Sequence, residues 1–552
     1  MRIRTIVAAA TTASLISMGG LALAAPSQGT SQPRTAHGVA GTRVDHRPGA
    51  PWGTKAGLTR GDRKDLQRWA KDTWASFVAM TDEATGLPAD NIDADLSAGS
   101  RSGYTSPTNI GAYLWSTVVA KKLGIIGSRE ARARMAQTLA TTAGLERHEP
   151  SGMLFNWYDE ATGEKLDEFP DGEQIFPFVS SVDNGWFAAA LMVVRTAEPK
   201  LRAQAQAQLD LMDFGSFYDA EQFDGERPGM LRGGFWVDPP APDQCAEEGE
   251  WNGATVLFTC HHYDLLNSEP RIASYIGIAH GQIPREHYFA THRTFPASCD
   301  WDWLEQRPVG KTRTYLGQEV FEGAFTYRGM RIVPTWGGSM FEELMPDLFV
   351  PEARWGKHSW AINHPLAVRA HIEHGLDEAG YGYWGFSPAS DPFGSYGVYG
   401  VDEIGMDPGG YPSDREHTDV DRGYEGCREA TNPEPEFGDG VVTPHAAFLA
   451  LPYAPRAAVD NLRGIETDLG AYGPGGFYDA VAVRSNTQAQ RHLALDQGMI
   501  MGALGNVLGK DVLRKAFSKG AVERTVRPLL AKERFSVGYT RDRALYTGRG
   551  KS

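Results

Sequence analysis

Cysteine is scarce in this chain, and long hydrophobic runs are confined to its first residues. Only four cysteines occur among 552 residues, and their spacing is not that of a zinc site. Beyond the N-terminal segment no eighteen consecutive residues are apolar, so no membrane-spanning helix is expected there. The sequence therefore predicts neither a zinc-finger protein nor an integral membrane protein.

An excess of positive charge is also missing. The formal net charge is −15, whereas proteins that bind nucleic acid present basic surfaces to the phosphates. We therefore expect no nucleic-acid partner. The acidic balance suits a neutral or cationic partner, or it serves solubility.

Several catalytic motifs are absent as well. His371 and His374 do not complete an H-E-x-x-H helix, and no G-x-x-x-x-G-K-[ST] phosphate loop occurs. The segment GFSPAS around Ser387 departs from the G-x-S-x-G nucleophile elbow. No metal and no other cofactor is predicted.

The N-terminus has the features of a secretory signal peptide. Arg2 and Arg4 are followed by an apolar stretch, and Ala22 and Ala24 form an A-x-A-like cleavage site. We predict a secreted chain organised as a signal peptide (1–25), a disordered linker (26–60), one catalytic (α/α)6-barrel domain (61–520) and a C-terminal extension (521–552). The protein is expected to be a monomer.

An exported chain with four cysteines is expected to form two disulfides. Three pairings are possible in principle. We favour Cys245–Cys260, which closes a short acidic loop, together with Cys299–Cys427.

Helical periodicity dominates the middle of the chain, and strand signals are weak and local, as at 331–335. Hydroxyl caps followed by proline, as at Ser106–Pro107 and Thr443–Pro444, mark helix starts. The pattern predicts helices over 63–80, 106–123, 128–143, 182–195, 199–212, 268–281, 365–375, 444–451, 455–469 and 490–508. Successive helical hairpins must bury their apolar faces against each other. A toroid of hairpins, an all-α architecture, is one closed solution.

The loops between these helices are rich in glycine and aromatic residues. Examples surround Trp336 (WGG) and Trp384 (YGYWG). Aromatic faces offer flat apolar platforms with polar edges, which suit sugar rings. The alternative is that these aromatic residues only close the ends of a large domain.

Carboxylates are the leading catalytic candidates. Asp183 and Glu269 each stand at the start of a predicted helix, so both reach one rim if the hairpins close into a ring. Two facing acids are what glycosidic cleavage requires. The structural alternative is a carboxylate that only stabilises a helix N-terminus. Further candidates are Glu342, Glu343, Asp391, Asp479 and Asp496.

The acidic loop 402–439 raises a separate possibility. Asp419, Asp421 and Glu425 could bind calcium through oxygen ligands. The loop lacks the EF-hand spacing, and an ordinary solvated loop is the favoured interpretation.

Five separated stretches resemble the bacterial glycoamylase-like family, which includes the endo-β-1,2-glucanases of glycoside hydrolase family 144. They lie at 105–124, 180–187, 262–289, 335–349 and 440–500. The resemblance implies an (α/α)6 barrel and hydrolysis or transfer of β-linked glucans without a metal. It also places Asp183 and Glu269 among the pocket acids, and Asp391 in a related loop. Pro388 stands where glucan-transferring relatives carry a glutamate, which weighs against transfer.

These observations predict a secreted glycoside hydrolase that cleaves a β-glucan, most simply a β-1,2-linked one, with inversion. Glu269 is the predicted general acid, with Asp183 or Asp391 as the base. The remaining predicted residues would bind an oligo- or polysaccharide substrate: Arg271, Trp186, Trp336, Trp384, Glu343, Tyr263 and Asp496. A non-catalytic carbohydrate-binding protein and a polysaccharide lyase remain alternatives.

Overall fold

The computed structural model describes residues 57–223, 225–407, 412–414 and 419–546. The predicted signal peptide and most of the predicted linker lie outside the described residues. The first described helix begins at Arg60.

Seventeen α-helices lie within the described residues, and all ten predicted helices are among them, with shifted ends. They are α1 Arg60–Met80, α2 Pro107–Leu123, α3 Ser128–Gly144, α4 Ser181–Ala197, α5 Arg202–Leu209, α6 Arg271–His280, α7 His287–Ala290, α8 Met340–Leu344, α9 Glu352–Trp355, α10 Trp360–Glu373, α11 Pro444–Leu449, α12 Pro455–Thr467, α13 Ala494–Gly509, α14 Val512–Phe517, α15 Ala521–Thr525, α16 Arg527–Lys532 and α17 Arg543–Tyr546.

The start of α2 shows why these segments become helices. The Ser106 hydroxyl accepts a hydrogen bond from the Asn109 backbone N–H at 3.2 Å, and Pro107 occupies the first helical position. That position needs no N–H donor and suits the fixed φ of proline. Gly124 ends the helix in the left-handed conformation at φ 74°.

Six helices form a closed ring. Helix α2 packs on α13 and α4, α4 on α6, α8 on α11, and α11 on α13. The ring closes between α6 and α8, where Arg271 donates to the backbone carbonyls of Glu342 and Glu343, each at 2.6 Å. The predicted toroid of helices is therefore present as a ring.

A second set of helices surrounds this ring. Helices α1, α3, α5, α10, α12 and α15 each pack against a ring helix. Helix α2 is buried from Pro107 to Ala120, whereas α3 and α12 keep exposed faces. Full burial identifies α2 as part of the inner layer, since a helix apolar on all sides needs neighbours all round.

The predicted fold class holds only in part: the helical ring is present, but the chain is not purely all-α, because short antiparallel strands fill the connections between helices. The strands are β1 Asn91–Asp93, β2 Arg147–His148, β3 Met153–Leu154, β4 Phe178–Ser180, β5 Tyr218–Asp219, β6 Met230–Arg232, β7 Gly234–Trp236, β8 Ala246–Trp251, β9 Ala254–Thr259, β10 His262–Tyr263, β11 Val309–Tyr315, β12 Gln318–Tyr327, β13 Met330–Ile332, β14 Ala389–Ser390, β15 Tyr396–Gly397, β16 Val441–Val442, β17 Tyr472–Gly473, β18 Gly476–Phe477, β19 Ala480–Ala482, β20 Thr487–Ala489, β21 Arg491–Leu493 and β22 Gly538–Tyr539. The two largest sheets have the orders β11–β12–β13–β22 and β4–β7–β9–β8.

Two-residue turns set the register of these larger sheets. Asn252 and Gly253 both have positive φ, 49° and 82°, and they join β8 to β9. Leu316 and Gly317 join β11 to β12 in the same way, at 51° and 83°. Turns with two positive φ values match the twist of a hairpin, and Asn-Gly is a strong sequence signal for them.

Both predicted disulfides are formed. Cys245–Cys260 joins the outer ends of β8 and β9, and Cys299–Cys427 joins two segments 128 residues apart. Among the residues that the structure describes, no helix combines the length and apolarity needed to cross a bilayer.

The described part of the C-terminal segment packs into the domain. Strand β22 pairs with β13, and the Glu533 carboxylate is buried against the Arg293 guanidinium, with Nε at 2.7 Å from Oε1. Residues after α14 thus contribute an ion pair to the interior.

Candidate active site

Polar side chains converge at one end of the helical ring. Every ring helix contributes a residue at its N-terminal end: Thr108 (α2), Asp183 (α4), Glu269 (before α6), Glu342 (α8), His445 (α11) and Asp496 (α13). Direct contacts join Thr108 to Asp183, Glu269 to Glu342, and His445 to Asp496. The N-terminal ends of the six helices therefore surround one acidic cleft.

Asp183 is held by its own helix and by the neighbouring one. Its backbone N–H is capped by the Ser180 hydroxyl at 3.1 Å, and its Oδ1 accepts a 2.6 Å hydrogen bond from the Thr108 hydroxyl. Trp186 follows three residues later on the same helix face. Its indole Nε1 donates to Glu269 Oε2 at 2.8 Å, which brings the two predicted acids to one place.

Glu269 is half-buried, and its charged form is disfavoured. Burial among protein atoms raises its pKa well above the usual range, and the charges of Glu342 and Asp183 raise it further. The Trp186 N–H and the Arg271 charge act in the opposite direction without cancelling this effect. A carboxyl in such surroundings retains its proton at a higher pH than usual.

The two adjacent glutamates of α8 have different roles, because successive helical residues point about 100° apart. Glu342 Oε2 accepts from the Glu269 backbone N–H at 2.6 Å and from the Ser268 hydroxyl at 2.8 Å. Burial raises the Glu342 pKa to about 7. Glu343 is 1% exposed and lies within hydrogen-bonding distance of His364.

The two glutamates therefore face different ways. Glu343, a predicted substrate-binding residue, faces the interior, whereas Glu342 faces the cleft. The residues before α6 do not cap it with their side chains. Asn267 bonds Glu343 and the Val333 carbonyl, and α6 begins at Arg271 without a side-chain cap. The segment before α6 is held by the two glutamates of α8 instead.

Asp496 and Asp479 form a second pair of acids in the cleft. Both are nearly inaccessible, at 3% and 2%. Burial followed by mutual repulsion raises the pKa of Asp496 well above its ordinary value. His445 Nδ1 lies 3.3 Å from Asp496 Oδ2, and burial lowers the His445 pKa to about 3, so the imidazole is neutral.

The hairpin β14–β15 covers this part of the cleft. The Ser390 backbone N–H donates to Asp479 Oδ2 at 2.6 Å. Burial raises the pKa of Tyr396 well above the usual range. The nearby charges of Asp496, Asp479, Glu269 and a further acid, Asp90, raise it more.

Asp391 lies on the same hairpin, but its carboxylate bonds back to the hairpin. It accepts from the Phe393 backbone N–H at 2.6 Å and from the Tyr399 hydroxyl at 3.0 Å. The structure therefore brings Asp183 to Glu269 and leaves Asp391 engaged within its own loop.

Five residues predicted to bind sugar are almost fully buried in this structure: Trp186, Trp384, Arg271, Glu343 and Asp496. Trp186 is 0%, Trp384 2% and Arg271 3% exposed. Arg271 pairs with Glu352, with Nε at 2.8 Å from Oε1, and Trp384 bonds Asn461 through its backbone. The glycine-rich loop around Trp384 predicts an exposed aromatic platform, but tertiary packing covers the rings of Trp384 and Trp186.

Trp336 and Tyr263 are half-buried. Trp336 belongs to an aromatic cluster with Phe295, Trp301 and Trp303, in which Phe295 and Trp301 stack at 4.3 Å. Tyr263 lies in β10 beside β6.

Sequence reasoning did not single out Asp90, Tyr396, Thr108 or His445 as site residues. Thr108 and His445 follow the hydroxyl–proline starts of α2 and α11, and that signal could have placed them on the rim. Asp90 accepts a hydrogen bond from Asn109 Nδ2 at 2.7 Å. This contact joins two separate segments, so no local sequence pattern predicts it.

Comparison with known proteins agrees with this architecture. Residues 313–521 match the Glycoamylase family model, described as "Putative glucoamylase", and residues 68–225 match a family of unknown function. The resemblance to glycoamylase-like proteins that the sequence motifs indicated is confirmed.

Individual relatives are distant. The cyclic β-(1,2)-glucan synthase NdvB of Rhizobium meliloti (strain 1021) is 24% identical over 85% of this chain, and the chain spans only 18% of that protein's length. Two solved structures each share 17% identity and a TM-score of 0.57, and cover 86% of this chain and 98% of their own. They are a putative glucoamylase from Bacteroides uniformis ATCC 8492 and an endo-β-1,2-glucanase from Chitinophaga pinensis.

Proposed function

We propose that this chain is a secreted, monomeric glycoside hydrolase that cleaves β-1,2-linked glucan by general acid–base catalysis with inversion. The observation that carries the proposal is the meeting of Glu269 and Asp183 in an acidic cleft at the N-terminal rim of a closed helical ring.

Glu269 is the proposed general acid. Its raised pKa keeps a proton available for the leaving oxygen of the glycosidic bond. The Trp186 N–H donates to Oε2, so that oxygen acts as an acceptor. This contact holds the Glu269 carboxyl in one orientation and leaves Oε1 as the oxygen proposed to deliver the proton.

Asp183 is the proposed base that activates a water molecule. Thr108 holds one carboxylate oxygen, at 2.6 Å, and leaves the other for the water. An inverting enzyme needs a second carboxylate across the bond from the acid. Asp391 is the alternative base, but it would first have to give up its bonds to Phe393 and Tyr399.

The floor of the cleft offers polar atoms for sugar hydroxyls. Asp479 Oδ1 and His445 Nε2 are buried and make no hydrogen bond within the described part of the chain, and Asp496 Oδ2 lies 3.3 Å from His445 Nδ1. Buried polar atoms are costly unless they are satisfied. A hydroxyl-rich substrate would satisfy them, and Tyr396 and Trp336 are the candidate aromatic contacts.

The relatives support the choice of linkage. The Chitinophaga protein is an endo-β-1,2-glucanase, and NdvB is a cyclic β-(1,2)-glucan synthase. Hydrolysis is preferred over transfer because Pro388 stands where the glucan-transferring pattern has a glutamate. Export is supported by the two disulfides.

The decisive experiment compares the parent chain with Glu269→Gln on β-1,2-glucan and on other β-glucans, with products separated by chromatography. General-acid catalysis contributes roughly 10²–10⁴-fold, so the variant should lose activity by that factor. NMR of the first-formed anomer tests inversion. Glu523→Gln, on the exposed face of α15, is the matched control and should retain parental activity.

Near-parental activity of Glu269→Gln would remove this residue from the mechanism. If the parent binds glucans but releases no reducing ends, the chain is a carbohydrate-binding protein. Unsaturated products from uronate polymers would instead identify a lyase.

A further inference from the structure

A histidine and two glutamates, none of them among the acids of the cleft, meet at the end of α10. His374 and Glu378 stand at the two ends of a π-helical turn, His374–Glu378, that continues α10. Glu403 belongs to the 3₁₀ turn Asp402–Ile404, which follows β15. Each residue offers one ligand atom, an imidazole nitrogen or a carboxylate oxygen, and these three atoms lie within 4.8 Å of one another. Side chains from two separate segments therefore present metal-ligating atoms to one small volume.

One carboxylate oxygen of Glu403 has no hydrogen-bond partner among the described residues. Oε1 accepts from Arg422 at 3.0 Å, whereas Oε2 is buried and unpaired. Glu403 is only 2% exposed, so water does not supply the missing donor. A buried carboxylate oxygen is costly unless a donor or a cation satisfies it. Oε2 is the oxygen that Arg422 leaves available to the group.

The charges around Glu403 are not balanced. Burial raises its pKa, and the charge of Glu378 raises it further. His374 and Arg422 act in the opposite direction without cancelling these effects. The Arg422 side chain is 44% exposed, so water screens much of its charge. The two glutamates thus lie close together in the interior with little positive charge between them.

The imidazole of His374 is held in the orientation that a metal ligand needs. Nδ1 lies 2.9 Å from Glu378 Oε2, and Nε2 lies 2.6 Å from the Ser413 hydroxyl. Ser413 is itself fixed, because its backbone carbonyl accepts from the Val441 N–H at 2.7 Å. Histidines that bind a metal through one nitrogen usually contact a neighbouring polar group through the other. Nδ1 is therefore the nitrogen available as a ligand.

We propose that His374, Glu378 and Glu403 bind one Zn²⁺ ion, which joins the end of α10 to the turn Asp402–Ile404. Zinc takes imidazole and carboxylate ligands at about 2.0–2.2 Å. In a tetrahedral site the ligand atoms are then about 3.3 Å apart, so His374 Nδ1 and Glu378 Oε2 need to separate only slightly. The ion would satisfy Glu403 Oε2 and offset the repulsion between the glutamates. Calcium fits less well because it prefers a larger set of oxygen ligands.

Local sequence patterns do not reveal this group. His374 fails the H-E-x-x-H pattern, because Glu378 follows it by four residues and the third ligand comes from another segment. The loop acids considered for calcium, Asp419, Asp421 and Glu425, are not members of the group. The Asp421 carboxylate accepts from Arg428 Nη2 at 2.8 Å instead.

The ion would also steady the segment that leads into α8. The Thr335 backbone N–H donates to the Ile404 carbonyl at 3.2 Å, and the Met406 N–H returns a bond to the Thr335 carbonyl at 2.9 Å. The turn that carries Glu403 is thereby tied to the residue before Trp336. The proposed role is structural, and the ion supplies no step of the glycosidase reaction.

The test is calorimetric titration of the full chain with ZnCl₂, after EDTA treatment and removal of the chelator, together with thermal unfolding with and without Zn²⁺. We expect one tight site and a rise in Tm with zinc, because a ligand that binds the native state stabilises it. Glu403→Gln keeps the size of the side chain and an oxygen for Arg422, and it should lose both responses. Titration with CaCl₂ should show no tight site that Glu403→Gln removes.

Three further variants locate the ion. Asp377→Asn changes an exposed acid of the same turn, and Glu269→Gln changes an acid of the cleft, so both should bind zinc as the parent does. Ser413→Ala keeps all three ligands and loses only the contact that orients the imidazole. It should weaken zinc binding roughly 10–100-fold, which provides a second test if Glu403→Gln does not fold.

The proposal is overturned if the parent has no tight zinc site, which would leave an ion pair between His374 and Glu378 beside a protonated Glu403. It is equally overturned if Glu403→Gln folds and still binds zinc tightly, or if Ser413→Ala binds zinc as the parent does. A tight calcium site that Glu403→Gln abolishes would refute the assignment to zinc.

Discussion

Two glutamates near the start of α6, the half-buried Glu269 and the fully buried Glu352, have pKa values that move in opposite directions. Glu269 has its pKa raised well above the usual range. Glu352 has its pKa lowered to about 2, because Arg271 and His364 outweigh the cost of burial. The opposite pKa shifts of the two glutamates therefore result from their charged neighbours and not from burial.

The pKa values of two buried histidines show the same contrast. Burial alone would lower the His364 pKa, but Glu343 and Glu352 raise it to about 9. His445 has no comparable compensation, and burial lowers its pKa to about 3. The interior side of the ring is thus a balanced ion network, whereas the cleft is an unbalanced one.

This contrast separates structural charge from the charge that is proposed to be catalytic. A balanced network tolerates burial and holds α6, α8 and α10 together through Arg271, Glu352 and His364. An unbalanced group with a shifted pKa is typical of a functional site. Arg271 and Glu269 are two residues apart, yet they belong to different networks.

The largest expected effect comes from removing the second acid of the cleft. Asp183→Asn keeps an oxygen that accepts from Thr108, so folding should be retained while activity on β-glucan falls roughly 10²–10⁴-fold. Asp391→Asn, the matched control, should change activity only a few-fold. Turnover assays on both variants test this, and the reverse result would make Asp391 the base.

The balanced network should break when one partner loses its charge. Glu352→Gln leaves the buried Arg271 guanidinium without its carboxylate, and such a loss costs about 3–5 kcal/mol of unfolding free energy. Urea denaturation followed by fluorescence measures it. Glu269→Gln, the same change in the unbalanced cleft, should cost no stability. Equal midpoints for the two variants would refute the distinction.

A smaller effect concerns the pH dependence of stability. Glu342 keeps its proton in the native state up to about pH 7, whereas the unfolded chain releases it near the ordinary pKa of 4.5. Its contribution to stability is therefore complete below pH 4.5 and is lost as the pH rises through about 7. Glu342→Gln should flatten this decline in the unfolding free energy. An unchanged slope between pH 5 and 8 would show that Glu342 does not titrate in this way.

The helices could be predicted from the sequence, because apolar spacing and hydroxyl–proline caps act within one segment. The strands could be foreseen less well. Most are two or three residues long and depend on partners far away in the chain, as β1 does on β21. The Asn252–Gly253 dipeptide is a sequence signal for the β8–β9 hairpin, although helical periodicity dominates the chain.

The site residues likewise divide into those that the sequence could predict and those that depend on tertiary structure. Sequence alone placed Asp183 and Glu269 at helix starts, but it could not distinguish Glu342 from Glu343, since that choice depends on the rotation of α8 in the ring. It also assigned Trp186 and Trp384 to the substrate, because exposure is a property of packing and not of residue type.

Local patterning by itself determined the ten main helices and placed acids at helix entries, and it favoured, among three possible pairings, the two disulfides that are formed. Only the tertiary structure decided which of those acids lack a compensating cation. Charge balance depends on distances between segments far apart in the chain, and closing the ring sets those distances.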